Sequence, residues 1–254
     1  MEGLSAADLI LLALGALLVG FAKTAVGGVG AISVALFAAV LPARESTGAL
    51  LPLLIAGDVF ALQAYRAHAQ WGRLLRLFPS VAVGVVAGAA FVSLVDDDTM
   101  RRTIGAVLLG LVLITLWRRR TGRSDQGAAD QPPGAGGHRW PAALGYGSLA
   151  GFTTMVANAG GAVMSLYLLT ARLDKLAFLG TAAWFFFLVN VFKVPFSIGL
   201  GLMTVDSLTL NAVLVPAVLV GVLVGRVVIR RVNQTQFERL VIVFTALSSI
   251  NLLR

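Results

Sequence analysis

Long stretches without a charged residue constrain this chain more than any other feature of its sequence. Residues 104–117 and 213–224 contain no Asp, Glu, Lys or Arg, and a helix needs about 20 apolar residues to cross the hydrocarbon core of a bilayer. Of all residues, 58% are hydrophobic and only 13% are charged, a balance unusual for a soluble domain of this size. The sequence predicts an all-α integral membrane protein, multi-pass in the cell membrane, with the lipid bilayer as its surroundings.

Polar residues divide the chain into ten apolar segments, each a candidate helix. Residues 119–140 are rich in Arg, Gly, Pro, Asp and Gln, which is typical of a flexible linker. We therefore expect a first membrane repeat at 1–118 and a second at 141–254, with five segments in each. The predicted segments are 6–22, 29–41, 47–65, 76–95, 101–117, 141–156, 160–170, 176–194, 207–225 and 237–252.

The two halves of the chain share an ordered series of residues. Gly20-Phe21 and Gly30-Ala31 align with Gly151-Phe152 and Gly161-Ala162 at one common offset. Further matches, with small gaps, place Asp58 and Phe60 on Asn190 and Phe192, and Gly84 and Gly88 on Gly221 and Gly225. Each match alone carries little information, but their shared order indicates an internal duplication.

The distribution of Lys and Arg predicts the orientation, because cytoplasmic loops hold the excess of these residues. If all ten segments reverse the chain, one face collects 13 Lys and Arg and the other collects 5, with Lys193 among the 5. Each half then contains an odd number of reversals, so the second half enters the membrane from the opposite side. The sequence predicts an inverted repeat with both termini outside and a cytoplasmic linker.

Segments 29–41 and 160–170 are too short to span comfortably at a rise of 1.5 Å per residue. We expect each to form a short or re-entrant hairpin with the segment before it, and the two tips to approach one another near the middle of the membrane. Both tips are rich in Gly and polar residues, and the helix that follows each presents a positive N-terminal end. This combination predicts an anion site. The candidate substrate-binding residues are Lys23, Thr24, Gly27, Gly28, Gly30, Thr154, Asn158, Gly160 and Gly161.

The glycines have a second interpretation, since small residues also permit close helix packing in membranes. Lys23 favours the anion site, although a Lys near a helix end can also extend to the interface. Asp58 and its repeat partner Asn190 are candidates for coupling proton movement to transport, and the alternative for Asp58 is a structural ion pair or hydrogen bond. Lys193 lies close to Pro195, so we expect its side chain to reach the interface.

Several functions are disfavoured by the residue content. The chain has no Cys, hence no disulfide and no thiolate metal site. We find no catalytic motif, no cofactor motif and no metal-ligand spacing, and therefore do not expect an enzyme, a cofactor or a bound metal. The net charge of +8 follows from loops that set orientation, so a nucleic-acid partner is not expected. A homodimer is compatible with the sequence, but no residue pattern argues for one.

The Gly-rich turns and the duplication resemble the TauE/SafE-type sulfite exporter family. The resemblance rests on Gly20, the Gly27 to Gly30 turn, Pro52 and Gly84/Gly88, then on Gly151, Gly160-Gly161, Asn190 and Gly221/Gly225. It implies duplicated halves and transport of a small sulfur-containing anion, such as sulfite, thiosulfate or an organosulfonate. Lys23-Thr24 and Asn158 depart from the family pattern.

The sequence leaves three hypotheses open. The first is a secondary transporter of a small anion that works by alternating access around the two tips, with proton coupling as one option. The second is an anion channel of the same architecture, which would conduct without coupling. The third is a non-transporting membrane protein, in which substitutions at Lys23 or Asn158 would leave solute flux unchanged. For the transporter, we expect Lys23→Ala to weaken anion binding without disturbing the fold.

Overall fold

In a computed structural model, the chain is described at residues 4–25, 29–100, 102–104, 106–107, 110, 113, 140–171, 173–233 and 236, and this part is helical with no β-strand. Eight α-helices have defined bounds. They are α1 (Ala6–Thr24), α2 (Gly30–Val40), α3 (Ala43–Tyr65), α4 (Trp71–Leu94), α5 (Trp140–Ala157), α6 (Gly160–Thr170), α7 (Lys175–Gly199) and α8 (Val205–Arg231), with a 3₁₀ turn at Arg66–His68.

Eight of the ten predicted segments coincide with these helices within a few residues, which confirms the all-helical class. The segment predicted at 101–117 is described only in part, and its described residues from 102 to 113 are helical. The linker predicted at 119–140 lies outside the described residues except for residue 140, and so does the segment predicted at 237–252.

Within the described part of the chain, five helical stretches are long and apolar enough to cross a membrane, and the chain is therefore a multi-pass membrane protein. The candidate spans are Ala6–Thr24, Ala43–His68, Trp71–Leu94, Lys175–Gly199 and Val205–Arg231. In contrast, α2 and α6 have 11 residues each, which corresponds to about 16 Å at 1.5 Å per residue, about half of a bilayer core. The prediction that these two segments are short is confirmed.

Polar side chains at the helix ends satisfy backbone groups that the helices leave free. Ser5 accepts from the Asp8 N–H at 3.2 Å and forms a capping box at the start of α1. Asp174 accepts from the Ala177 N–H at the start of α7 in the same way. Such caps explain why these helices begin where they do.

The acidic run at residues 96–98 caps two helices rather than one. Asp96 accepts from the Thr99 N–H at 3.0 Å, as expected for the helix that follows, and hydrogen bonds from Thr99 lower the pKa of Asp96. Asp97 instead accepts from the N–H groups of Ala43 and Arg44 and caps α3. This contact ties the start of α3 to the end of α4.

Each short helix folds back against the helix before it. Ala22 lies beside Gly30, and Gly15 lies against the ring of Phe37, so α1 and α2 run antiparallel. Likewise, the rings of Tyr146 and Tyr167 are 6.1 Å apart across α5 and α6. We call these pairs the first hairpin (α1 and α2) and the second hairpin (α5 and α6).

Glycines bring the two halves of the chain into backbone contact. A Cβ at Gly20 would lie 2.0 Å from the Val218 carbonyl oxygen, and one at Gly221 would lie 1.9 Å from the Leu17 carbonyl oxygen, so α1 packs directly on α8. Only glycine permits such an approach, as is common between membrane helices. Close helix packing therefore explains Gly20 and Gly221.

The corresponding helices of the other half make the corresponding contact. A Cβ at Gly151 would lie 2.1 Å from the Val81 carbonyl oxygen, and one at Gly84 would lie 2.1 Å from the Ser148 carbonyl oxygen, so α5 packs on α4. The first hairpin is thus held by the last described helix of the second half, and the second hairpin by α4 of the first half.

At the centre of the molecule α3 crosses α7 in the opposite direction. Gly180 lies against the Tyr65 carbonyl at one end of the contact, and Gly48 lies against the Leu202 carbonyl, just after α7, at the other. Between these ends, both helices turn polar side chains toward each other. This junction of α3, α7 and the two hairpin tips holds most of the candidate functional residues.

Candidate functional site

Lys23 lies in the last turn of α1, with its side chain directed at α3 and α7. The side chain is 10% exposed, and its Nζ lies 2.7 Å from Oδ1 of Asp58. The absence of a side chain at Gly57 makes room for it, because a Cβ there would come within 3.0 Å of Lys23 Cγ. The ammonium also lies 4.5 Å from the ring centroid of Phe186, within the range of a cation–π contact. Lys23 is therefore held in the interior and does not extend to the interface.

Asp58 is completely buried and uses both carboxylate oxygens. Oδ1 pairs with Lys23, and Oδ2 accepts a hydrogen bond of 2.7 Å from Nδ2 of Asn190 on α7. The structural alternative for Asp58, an ion pair with a hydrogen bond, is thus present, while its coupling role stays a prediction. Pairing of this kind is what makes a buried carboxylate tolerable in a membrane protein.

The prediction for Lys193 is wrong. Its side chain is 1% exposed and does not reach the interface. The reason is that α7 continues through Pro195 to Gly199, which is tolerated in membrane helices because neighbouring groups take up the freed backbone partners. Lys193 thus lies six residues, or about 9 Å, before the end of the helix.

The ammonium of Lys193 contacts only neutral oxygens among the described residues. It donates to the carbonyl oxygen of Thr154 at 2.7 Å and to Oδ1 of Asn158 at 2.6 Å. The described part of the chain contains a single ion pair within 4 Å, that of Lys23 with Asp58. Lys193 is therefore a buried cation without a counter-ion there.

Asn158 forms the tip of the second hairpin, and its side chain joins the tip to two other helices by hydrogen bonds. Its backbone has a φ of 49°, a left-handed conformation that Asn tolerates better than most residues. Its side chain accepts from Lys193 and donates to the Thr47 carbonyl oxygen at 3.0 Å. The Thr47 hydroxyl in turn donates to the Val156 carbonyl oxygen at 3.4 Å. The tip is thus joined to both α3 and α7.

Thr154 and Gly160 complete this tip, and Gly161 is half-buried beside it. Thr154 offers its backbone carbonyl to Lys193, whereas its side chain occupies the space next to Gly160, where a Cβ would come within 2.7 Å of Thr154 Cβ. Gly160 is therefore explained by packing.

The first tip is only partly described, since Gly27 and Gly28 lie outside the described residues. The Thr24 hydroxyl donates within its own helix to Gly20 and across to the Val222 carbonyl oxygen at 3.2 Å, so it serves the packing of α1 on α8. Gly30 begins α2, and among the described residues a Cβ there would meet only Ala22 at 3.7 Å, an ordinary contact. Packing against the described residues does not explain Gly30.

The hairpin tips are connected through α3 and α7. Lys23 of the first tip reaches Asp58 and, through it, Asn190, while Asn158 of the second tip reaches Lys193. Asn190 and Lys193 are one turn apart on α7. The structure therefore brings Lys23, Asp58, Asn190, Thr154 and Asn158 into one cluster, to which it adds Lys193. We call these six residues the polar cluster.

Sequence reasoning missed three further residues. Thr47 and Phe186 touch the cluster as described, and Tyr65 donates from its hydroxyl to the Thr24 carbonyl oxygen at 2.9 Å. None stands out in the sequence, since Thr, Phe and Tyr are ordinary in membrane helices. Lys193 did carry a signal, a cation in a long apolar segment, but the nearby Pro195 was taken to mark the helix end.

Comparison with known proteins supplies one finding. A family model described as "Sulfite exporter TauE/SafE" matches residues 12–252, nearly the whole chain. No curated protein and no solved structure gives a significant match.

Proposed function

The chain belongs to the TauE/SafE sulfite exporter family, and from this premise we propose that it is a secondary transporter of a small anion. The family is one of membrane transporters rather than enzymes, and its name indicates a sulfur oxyanion. Sulfite, thiosulfate and organosulfonates are the substrates to test first. The anion binds at the polar cluster and crosses by alternating access between the two faces of the membrane.

The surplus of positive charge in the polar cluster carries this proposal. Lys23 and Lys193 contribute two cations, and Asp58 contributes one anion. A cation deep in a membrane protein is expensive to keep without a partner and is usually functional. A small anion is the partner that would offset its cost. The surrounding amide and hydroxyl groups would fix the orientation of the anion.

The directions of the helices support an inverted repeat. By the sequence alignment α3 and α7 are equivalent, and they cross antiparallel, with Tyr65 beside Gly180 and Gly48 beside Leu202. Equivalent spans that run in opposite directions are expected when the second half enters the membrane from the other side. Together with the distribution of Lys and Arg, this supports the proposed orientation, in which both termini lie outside and the 119–140 linker lies in the cytoplasm.

The burial of Lys193 strengthens that orientation. Lys193 was counted with the side poorer in Lys and Arg, but its side chain lies in the interior and belongs to neither side. The imbalance between the two sides therefore becomes larger.

Proton coupling through Asp58 completes the proposed mechanism. A doubly charged anion at Lys193 would leave the cluster with one excess negative charge, because Asp58 already neutralises Lys23. If Asp58 takes up a proton as the dianion arrives, the cluster becomes neutral and the proton travels with the substrate. Asn190, which is bonded to the other carboxylate oxygen, holds the side chain in either state.

Transport by the purified protein in liposomes tests the proposal. We expect saturable uptake of a labelled sulfur oxyanion that rises with an imposed proton gradient and is lost in Lys193→Met. Lys175→Met is a matched control, because Lys175 also donates to two carbonyl oxygens, those of Ile229 and Val232. Non-saturable conductance would indicate the channel, and no flux of any anion would indicate a non-transporting protein.

A further inference from the structure

Starting from the proposed function, we infer that the polar cluster selects a singly charged oxyanion, such as hydrogensulfite or a monovalent sulfonate, and that Asp58 sets this selectivity. Neither the sequence resemblance nor the family match distinguishes singly from doubly charged substrates. The inference concerns which charge state of the substrate the site accepts.

The charge balance of the polar cluster is the basis of the inference. The Lys23 charge is matched by Asp58 at 2.7 Å, and among the described residues Lys193 contacts only the neutral oxygens of Thr154 and Asn158. The cluster therefore has one uncompensated positive charge. One monovalent anion makes it neutral, whereas a dianion leaves it with a negative charge in an environment of low dielectric.

Among the described residues, the hydrogen bonds of Lys193 leave one donor without an acceptor. A lysine ammonium has three N–H donors, and two of them are used by Thr154 and Asn158. The third is available to an oxygen of the anion. Lys193 rather than Lys23 is therefore the first contact of the substrate, because Lys23 is already paired.

Asp58 acts on the same place through α7. It is bonded to Asn190, and Asn190 and Lys193 are three residues apart, with Cβ atoms about 5–6 Å from one another. A change of charge at Asp58 therefore changes the electrostatic potential at the ammonium of Lys193. When Asp58 is protonated, the cluster has two uncompensated positive charges, which a dianion neutralises. The dianion and this proton together carry the same net charge as a monovalent anion.

The charged groups around Asp58 come from three helices. They are Lys23 of α1, Lys193 of α7 and Arg226 of α8. Arg226 donates to the carbonyl oxygen of Phe60, two residues after Asp58 on α3. Arg226 is partly exposed, so solvent screens its charge more than those of the two lysines. The balance at the anion site is therefore set mainly by Lys23, Lys193 and Asp58.

Titration of the purified protein with methanesulfonate and with sulfate at equal ionic strength and neutral pH tests the inference. These ions have similar oxygens but fixed charges of one and two. We expect the wild-type protein to bind methanesulfonate at least about tenfold more tightly than sulfate. Asp58→Asn, which keeps an acceptor for Asn190 and removes one negative charge, should shift this ratio toward sulfate by at least about tenfold.

A double variant provides the matched control. Lys23→Met with Asp58→Asn removes both members of the ion pair and leaves Lys193 as the single charge of the cluster. The double variant should therefore return to the wild-type preference for methanesulfonate. An unchanged ratio in a folded Asp58→Asn protein, or a sulfate preference in the double variant, would overturn the inference.

Calorimetry on the wild-type protein gives a test that does not depend on any variant folding. Titrations in two buffers of different ionisation enthalpy should show that the protein takes up one proton when sulfate binds and none when methanesulfonate binds. Sulfate binding without proton uptake, or with the higher affinity, contradicts the inference and leaves the transporter proposal intact. Failure of every sulfur oxyanion to bind the wild-type protein contradicts the proposed function itself.

Discussion

Asn190 donates a hydrogen bond of 2.7 Å to Asp58, and the alignment of the two halves predicts that these residues occupy corresponding places. Residues related by a duplication touch each other only near the axis that relates the two copies. In the proposed duplication, the polar cluster therefore lies at the centre. Lys23 pairs with the Asp58 carboxylate. Lys193 lies one helical turn after Asn190 on α7.

Asp58→Asn is expected to abolish the dependence of transport on a proton gradient while anion flux driven by its own gradient persists. The amide keeps a hydrogen-bond acceptor for Asn190 but cannot exchange a proton. Flux into liposomes with and without an imposed pH gradient measures the effect. A variant that retains the wild-type response to the gradient would exclude Asp58 as the coupling residue.

Lys23→Ala should destabilise the protein, contrary to the expectation from the sequence that the fold would remain intact. The substitution leaves the Asp58 carboxylate buried without its counter-ion, which costs about 3–5 kcal/mol when one member of a buried pair is removed. Thermal unfolding of the purified variant measures the loss. Lys23→Met with Asp58→Asn should recover much of the stability, and a double variant as unstable as Lys23→Ala would argue against the ion pair.

Lys193→Met should reduce anion affinity by at least about tenfold, because it removes the cation that has no counter-ion among the described residues. Binding titration with a sulfur oxyanion measures this loss. Met has a similar length, so it keeps the packing of the stem. The control is Lys175→Met at the start of α7, where we expect wild-type affinity. Equal losses in both variants would show that the effect is not local.

Asn158→Gly and Asn158→Ala separate the two roles of this residue. Glycine accepts a φ of 49° but loses the side chain that bridges Lys193 and Thr47. Alanine loses the same bridge and adds a conformational cost of about 1–2 kcal/mol. Both variants should therefore unfold at a lower temperature than wild type, alanine lower than glycine. The reverse order would contradict a left-handed tip.

Gly20→Ala and Gly151→Ala should destabilise the protein to a similar extent. In each case the new Cβ would lie about 2 Å from a carbonyl oxygen of the helix packed against it, Val218 or Val81. Gly72→Ala is the control, since no described residue lies within 4 Å of its Cβ position. Unfolding temperatures measure the three effects. A large loss at only one of Gly20 and Gly151 would argue that the two contacts are not equivalent.

The helices were predictable because each depends on a local pattern of apolar runs and polar interruptions. Their lengths, including those of the short α2 and α6, follow from residues adjacent in sequence. The repeat alignment also paired Asp58 with Asn190 before any contact was known. The alignment could not show that these two side chains bind each other, because aligned positions in two repeats need not be close in space.

The partners in the candidate site were less predictable because they come from different helices. Lys23 was expected to face a substrate, but its position relative to Asp58 depends on how α1 packs on α3. Lys193 was assigned to the interface because Pro normally ends a helix, while tertiary packing lets α7 continue. The sequence named five of the six residues of the polar cluster as candidates. It did not predict that Lys23 is paired with Asp58, or that Lys193 is buried without a counter-ion among the described residues.

The exchange of helices between the halves has a consequence for how such a protein could have arisen. A chain containing only the first half would expose the glycine surfaces of α1 and α4, which are covered here by α8 and α5 of the second half. In the proposed inverted repeat, the equivalent covering surfaces would belong to a second copy of the same half in the opposite orientation. The proposed repeat thus has the form of two identical ancestral subunits joined in one chain.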